Sequence, residues 1–121
     1  MIKFLSCTGD RGAQTVRIEF IISHNRVHQS FEGSVYYSKA FDEIGNEFKA
    51  KEAKTGANDY DWDNMIPTSV DVKCSIIFRG IIGGTDKLKL VMLPVSTRDS
   101  DGGTNAISGK IEFRNVKINW L

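Results

Sequence analysis

The sequence predicts a single all-β domain, an antiparallel sandwich of about seven or eight short strands. Three observations carry this. The apolar residues recur with period two in run after run, as half-buried strands require. The runs are separated by clusters of Gly, Asp, Asn and Ser, which are turn residues. The chain has 121 residues, enough for one hydrophobic core and one domain.

The elements can be justified in order. Residues 2–6, IKFLS, read as a first strand. Thr15 to Ser23, TVRIEFIIS, sets Val16, Ile18, Phe20 and Ile22 on one face and Arg17 and Glu19 on the other. Gln29 to Phe31 reads as a short strand, and Ser34 to Ala40 and Asn46 to Ala53 as two weaker ones. The segment Phe48 to Lys54 is rich in helix formers. It is short and follows a hairpin signal, so it reads as a strand that loses order towards Thr55. Its lysines, Lys49, Lys51 and Lys54, suit a solvated edge better than a phosphate site. Ser69 to Arg79, SVDVKCSIIFR, alternates with Val70, Val72, Cys74, Ile76 and Phe78 inward. Asp86 to Leu93 places Leu88, Leu90 and Met92 on one face, with Pro94 near the strand's end and Pro67 just before a strand. In Lys110 to Trp120, Ile111 and Phe113 share one parity while Val116, Ile118 and Trp120 share the other, which predicts a bulge at Arg114-Asn115.

The stretch AFDEIGNEF, Ala40 to Phe48, gathers three acids and an Asn around Gly45. It reads as a hairpin turn in preference to a cation site. Gly45 takes positive φ without steric strain, and Asn46 tolerates it. Asp42 can accept backbone N–H bonds within the turn. A hard cation wants six to eight oxygens, more than this turn offers.

The order of these features resembles a known family. An alternating strand is followed by Ala40-x-Asp42-x-x-Gly45-Asn46-x-Phe48 and a polar loop. Then come Ile66-Pro67, the strand VDVKCSIIF, a Leu-rich strand ending LVML, and the closing IEFRNVKI. Together they resemble immunoglobulin-like β-sandwich domains of unknown function in bacterial exported or envelope proteins, over roughly residues 14–120. The resemblance implies an extracellular or cell-envelope setting and a binding or structural role, and it brings no catalytic residues. The chain departs from antibody-type domains in lacking their paired Cys with a central Trp.

Composition excludes several functions. Sixteen basic residues stand against fifteen acidic ones, for a net charge of +1. That balance argues against nucleic acid as a partner, because phosphate neutralisation wants a basic surplus. No apolar run approaches the length that spans a bilayer, so direct membrane insertion is not expected. MIKFLSC sets a Cys behind an apolar run too short for an export signal. The chain reads either as cytoplasmic or as the part of an exported protein that follows its signal. Cys7 and Cys74 lack any metal-binding spacing. Cys74 reads as a small buried residue and Cys7 as free or partly exposed.

The candidate site is the loop Thr55 to Met65, TGANDYDWDNM, which is long for a sandwich. Asp59, Asp61 and Asp63 alternate as in the first half of an EF-hand loop, but Asn64 and Val70 stand where its Gly and its bidentate Glu belong. A weak calcium site on these three Asp residues is one expectation, and no other cofactor is implied. A solvated acidic loop is the simpler one. Tyr60 and Trp62, with Asp61 and Asp63, could instead hold a sugar, the rings stacking on its apolar face and the acids accepting hydroxyls. The competing expectation is that at least one of the two rings caps the open end of the core. His24 and His28 flank a turn and read as surface residues. Asp99, Asp101 and Gly102-Gly103 form a second acidic turn.

There is no GxSxG, HExxH, P-loop or GxGxxG, so hydrolysis and transfer have no visible apparatus. The sequence therefore reads as a non-catalytic accessory or protein-interaction module with protein or glycan partners. A carbohydrate-binding module using residues 59–63 is the alternative. Oligomeric state is not fixed by the sequence.

Overall fold

The structure is a computed structural model that describes residues 1–61, 63–99 and 107–121. The described residues form eleven strands: β1 (Ile2–Asp10), β2 (Thr15–Ile22), β3 (Gln29–Gly33), β4 (Lys39–Phe41), β5 (Glu47–Thr55), β6 (Asn58–Asp59), β7 (Asn64–Ile66), β8 (Val72–Arg79), β9 (Lys87–Asp99), β10 (Ile107–Lys117) and β11 (Asn119–Trp120). Seven of these run five residues or longer, which is the seven-to-eight-strand sandwich of the sequence. The other four are two- or three-residue pairings.

One sheet has the order β11–β1–β2–β8–β5, with β6 on β5. The other is built on β9, with β10 along one side and β3 then β4 along the other; β7 lies outside β3. In immunoglobulin lettering these are the ABED and CFG sheets, so the connectivity itself is immunoglobulin-like. β5 joins the two. Glu47 to Lys49 pair with β4, and from Ala50 to Thr55 the strand pairs with β8, with a bulge between Ala50 and Glu52. β5 is therefore paired with each sheet in turn, and among the described residues only Lys54 and Thr55 have a strand on both sides, so Lys49 and Lys51 lie on a stretch with one open side, as the sequence suggests. The strand does not fray at Thr55, which is buried.

The core lies between the sheets. Val16, Ile18, Phe20 and Ile22 face it from β2, and Cys74, Ile76 and Phe78 from β8. β8 begins later than its alternation suggests. Val70 is exposed because residues 67–70 turn, with Val70 N bonded to Pro67 O and Ser69 N to His24 O. In β9 the inward residues are Leu88, Val91 and Leu93, in place of Leu88, Leu90 and Met92. β10 changes face with it: Ile111 lies opposite Leu93, Phe113 opposite Val91, and Val116 opposite Leu88. The expected bulge at Arg114-Asn115 is thus a face switch without an inserted residue. Register is unbroken, and Asn115 makes the switch at φ 54°. The sequence alternation showed the switch in β10 but not its mirror in β9, where Leu90 and Met92 are apolar too.

Ser34 to Ala40 is mostly not strand. β3 ends with Gly33 opposite Val95 and β4 begins with Lys39 opposite Met92, and between them residues 35–37 turn outward. Pro94 lies inside β9 and falls opposite this gap, where β9 has no strand on that side. The AFDEIGNEF stretch is the β4–β5 hairpin turn. Asp42 Oδ1 accepts from Ile44 N at 3.1 Å and Asn46 N at 2.9 Å, its Oδ2 accepts from Asn46 Nδ2 at 2.9 Å, and Gly45 sits at φ 88°. Cys7 and Cys74 are both free and both buried, so Cys74 is the small buried residue read from the sequence and Cys7 is free but not partly exposed. Burial pushes each thiol up to about 12.

Candidate functional site

The loop that carries the sequence candidates leaves β5, forms the short β6 and returns through β7. Its centre is Tyr60, which is fully buried. The ring packs edge-on against Phe31, 5.7 Å between centroids, and over Gly33. A Cβ on Gly33 would lie 1.8 Å from Tyr60 Cε2. Gly33 is therefore what admits the ring, and Gly33 N donates to Tyr60 O at 3.0 Å. Burial, with the neighbouring Cys74 and Asp61, pushes the phenol above its ordinary value. Tyr60 is the core cap and presents no ring face to a ligand. Trp62 lies outside the described residues, as do Asp101, Gly102 and Gly103 of the second acidic turn.

The three aspartates are not brought together. Asp59 binds Lys54 Nζ at 2.7 Å. Asp61 Oδ1 accepts Val35 N at 2.8 Å. Asp63 accepts from Ser30 Oγ and, through Oδ2, from Arg98 at 2.6 Å. Each carboxylate serves a different strand or turn, and among the described residues no group of three His, Cys, Asp or Glu is placed to hold a metal. The alternation that suggested a calcium site on Asp59, Asp61 and Asp63 orients the three towards separate partners. His24 and His28 also have structural tasks. His24 Nδ1 accepts Arg26 N at 3.2 Å, so its Nε2 carries the proton it donates to Ile66 O at 2.6 Å. His28 Nδ1 accepts Thr68 N at 3.1 Å, and the two loops are thereby tied together.

The feature that sequence reasoning missed is a lateral opening of the sandwich. β10 crosses over at its end, and β11 pairs in parallel with β1 at Thr8 and Gly9. Trp120 clamps that end: its ring lies over Gly9 and its Nε1 donates to Thr85 O at 2.7 Å. Further along, the two sheets part. A cleft of about 350 Å³ opens there, floored by Ile22, Phe31, Ile66 and Ile111 and rimmed by Ile2 and Ile107. Phe4 bridges the seam at one point by an edge-on contact with Phe113, 5.5 Å between centroids.

Both rims are strand edges. Among the described residues nothing pairs with the outer edge of β1 before Thr8, or with the outer edge of β10. Such edges normally carry charges that discourage pairing. Here Ile2, Phe4 and Leu5 are exposed on β1 with Lys3 as the single charge, and Ile107-Ser108-Gly109 carries none. The charges of β10 lie beyond, at Lys110, Glu112 and Arg114, linked by ion pairs, and at Lys117. The sequence signal was present in IKFLS, which reads as a strand but is apolar on both parities, so that one of its faces or edges needs a further partner.

No family model and no curated protein matches the chain. Among solved structures it is similar to the ASH / PapD-like domain of human CEP192 (PapD-like domain 7), with a TM-score of 0.47 and 11% identity over 99% of this chain and 84% of that one. It is also similar to the periplasmic chaperone SfaE, with a TM-score of 0.41 and 12% identity, covering 99% of this chain and 55% of that chain. A third is ACE19, the collagen-binding subdomain of the Enterococcus faecalis surface protein ACE, with a TM-score of 0.27 and 11% identity over 95% of this chain and 94% of that one. All three likenesses concern the sandwich architecture only.

Proposed function

We propose that this domain is a non-catalytic protein-interaction module that takes an extended segment of a partner protein into its open seam. One observation carries the reading: an apolar cleft floored by core residues and bordered by two strand edges that, among the described residues, pair with no further strand. Unpaired N–H and C=O groups select a strand as occupant, and the cleft selects apolar side chains at alternate positions of it. Arg26 and Lys110 line the opening, which favours acidic residues flanking the apolar ones. Each side chain seated would contribute about 1.5–3 kcal/mol before the cost of ordering the segment, which fits a specific but reversible contact. The exported or envelope setting implied by the sequence pattern belongs to the same proposal, and cell fractionation of the native protein tests it.

The binding test uses a panel of ten-residue peptides with apolar residues at alternate positions and acidic ends, titrated into the isotope-labelled domain. Shifts at residues 2–6 and 107–111 are expected, lost in Ile2→Lys and in Ile107→Lys, whose side chains are exposed and whose folds should be intact. Peptides that shift neither edge, or that still bind both variants, would remove the seam as the site.

A further inference from the structure

A second feature stands apart from the seam and does not rest on it. Between β3 and β4 the chain turns outward and carries two tyrosines into solvent. Tyr36 is 76% exposed and Tyr37 61%. Their rings meet edge to face, 4.9 Å between centroids and 88° apart. The turn beneath them is held closely. Val35 N donates to Asp61 Oδ1 at 2.8 Å, Tyr37 N to Ser34 Oγ at 3.3 Å, Ser38 Oγ to Ser34 O at 2.6 Å and Ser38 N to Val35 O at 3.2 Å. At its base, Gly33 is fixed by the buried Tyr60. Two large rings on a pre-ordered backbone lose little freedom when something binds them. The two adjoining rings make one contiguous exposed aromatic patch, the kind of surface that marks an interaction site.

We infer that the Tyr36–Tyr37 turn and Asp61 form a carbohydrate-binding platform. One ring stacks on the apolar face of a pyranose. Asp61 spends Oδ1 on the backbone N–H of Val35, the residue before Tyr36, and its Oδ2 accepts hydroxyl protons from the same sugar. The carboxylate chooses among occupants. A proline-rich segment offers carbonyl acceptors and no donor for it. A quaternary ammonium suits the charge, but it needs rings that enclose and desolvate it, and these rings are open. A polyol supplies both an apolar face and donors. Of the sugar-site residues read from the sequence, Asp61 belongs to this platform, Tyr60 is buried, Asp63 is engaged by Ser30 and Arg98, and Trp62 lies outside the described residues. The structure replaces the buried Tyr60 by two tyrosines some 25 positions earlier in the chain, joined to Asp61 through one hydrogen bond.

The test is a titration of the domain with cellohexaose, xylohexaose, mannohexaose and chitohexaose, read on the tyrosine ring resonances. At least one sugar should shift the rings of Tyr36 or Tyr37 to saturation. Tyr36→Ala or Tyr37→Ala should weaken that sugar about tenfold or more with an unchanged melting temperature. Asp61→Asn, which keeps an acceptor for Val35 N, should weaken it as well, while Ile2→Lys in the seam should leave it unaltered. Three results overturn the proposal: no sugar of the panel shifts either ring; a shift persists in the Tyr36→Ala/Tyr37→Ala variant; or a proline decapeptide or tetramethylammonium shifts the rings where no sugar does.

Discussion

Replacing Gly33 by alanine tests the packing of the loop most sharply. The added Cβ would lie 1.8 Å from Tyr60 Cε2, 2.2 Å from Cζ and 2.4 Å from Cδ2. Comfortable carbon–carbon contact begins at about 3.5 Å, so the ring must retreat by more than an ångström. It has no room, because it is fully buried with Phe31 on its flank. If the strands part to keep the ring inside, overpacking costs about 1–3 kcal/mol. If the ring leaves the core, the loss approaches that of truncating a buried aromatic, about 3–5 kcal/mol. A fall of about 3 kcal/mol is therefore expected, read as a shift of the urea midpoint. Gly33 does not sit at positive φ, so backbone strain contributes nothing, and Gly109→Ala, whose Cβ would meet no atom within 4 Å, is the matched control. In a Tyr60→Ala background the Gly33→Ala substitution should become nearly neutral, giving a coupling of about 2–3 kcal/mol between the sites. A single substitution that changes stability by less than about 0.5 kcal/mol, or one whose cost survives removal of the ring, would refute the reasoning.

Three further expectations follow from the same geometry. Trp120→Ala should lower stability by about 2 kcal/mol and speed amide exchange at Thr8 and Gly9, because the clamp on β11 is lost; exchange confined to the last residues would contradict this. The two buried thiols, raised from 9.0 to about 12, keep their protons in the folded state over a range where the unfolded chain releases them. Their contribution is complete below pH 9 and is lost as pH rises towards 12, by up to about 1.4 kcal/mol per pH unit for each thiol. The Cys7→Ala/Cys74→Ala variant should therefore show a flatter alkaline limb in urea titrations, and neither native thiol should react quickly with an aromatic disulfide reagent at pH 8. Asp42 behaves in the opposite sense. Against a desolvation that alone would raise it, the bonds from Asn46, Ile44 and Gly45 hold its carboxyl below the ordinary 3.8. Its contribution is present above that value and lost as pH falls through the lowered one, so the melting difference between the native chain and Asp42→Asn should shrink in acid. An unchanged difference would remove Asp42 as the hairpin's anchor.

Much of the fold was legible because side-chain period is a direct consequence of half-burial. Val16, Ile18, Phe20 and Ile22 lie on the face their spacing assigns, and Asp42 and Gly45 make the turn their chemistry assigns. Legibility failed where a residue's partner is distant in sequence. Nothing in the alternation of Asp59, Asp61 and Asp63 shows that their partners are Lys54, Val35, Ser30 and Arg98. Nothing near Tyr60 shows that Gly33 leaves a hole for its ring, so a buried cap and an exposed sugar platform look alike in the string. Tyr36 and Tyr37 resemble strand residues until the gap opposite Pro94 turns them outward. Lys49 and Lys51 do mark a side of β5 without a partner strand among the described residues, but sequence cannot show that the strand changes sheets between them. The seam was hidden for a related reason: an edge is defined by which strand fails to arrive.

Amide hydrogen exchange with and without peptide tests the central claim most directly. In the free domain, the amides of β1 before Thr8 and of β10 from Ile107 to Lys110 that do not face β2 or β9 should exchange rapidly, alternating with protected neighbours. Adding a binding peptide of alternating apolar residues should slow those outward amides and leave the Tyr36–Tyr37 turn unchanged. Outward amides already protected in the free domain, or protection that appears elsewhere while the two edges stay open, would contradict the account.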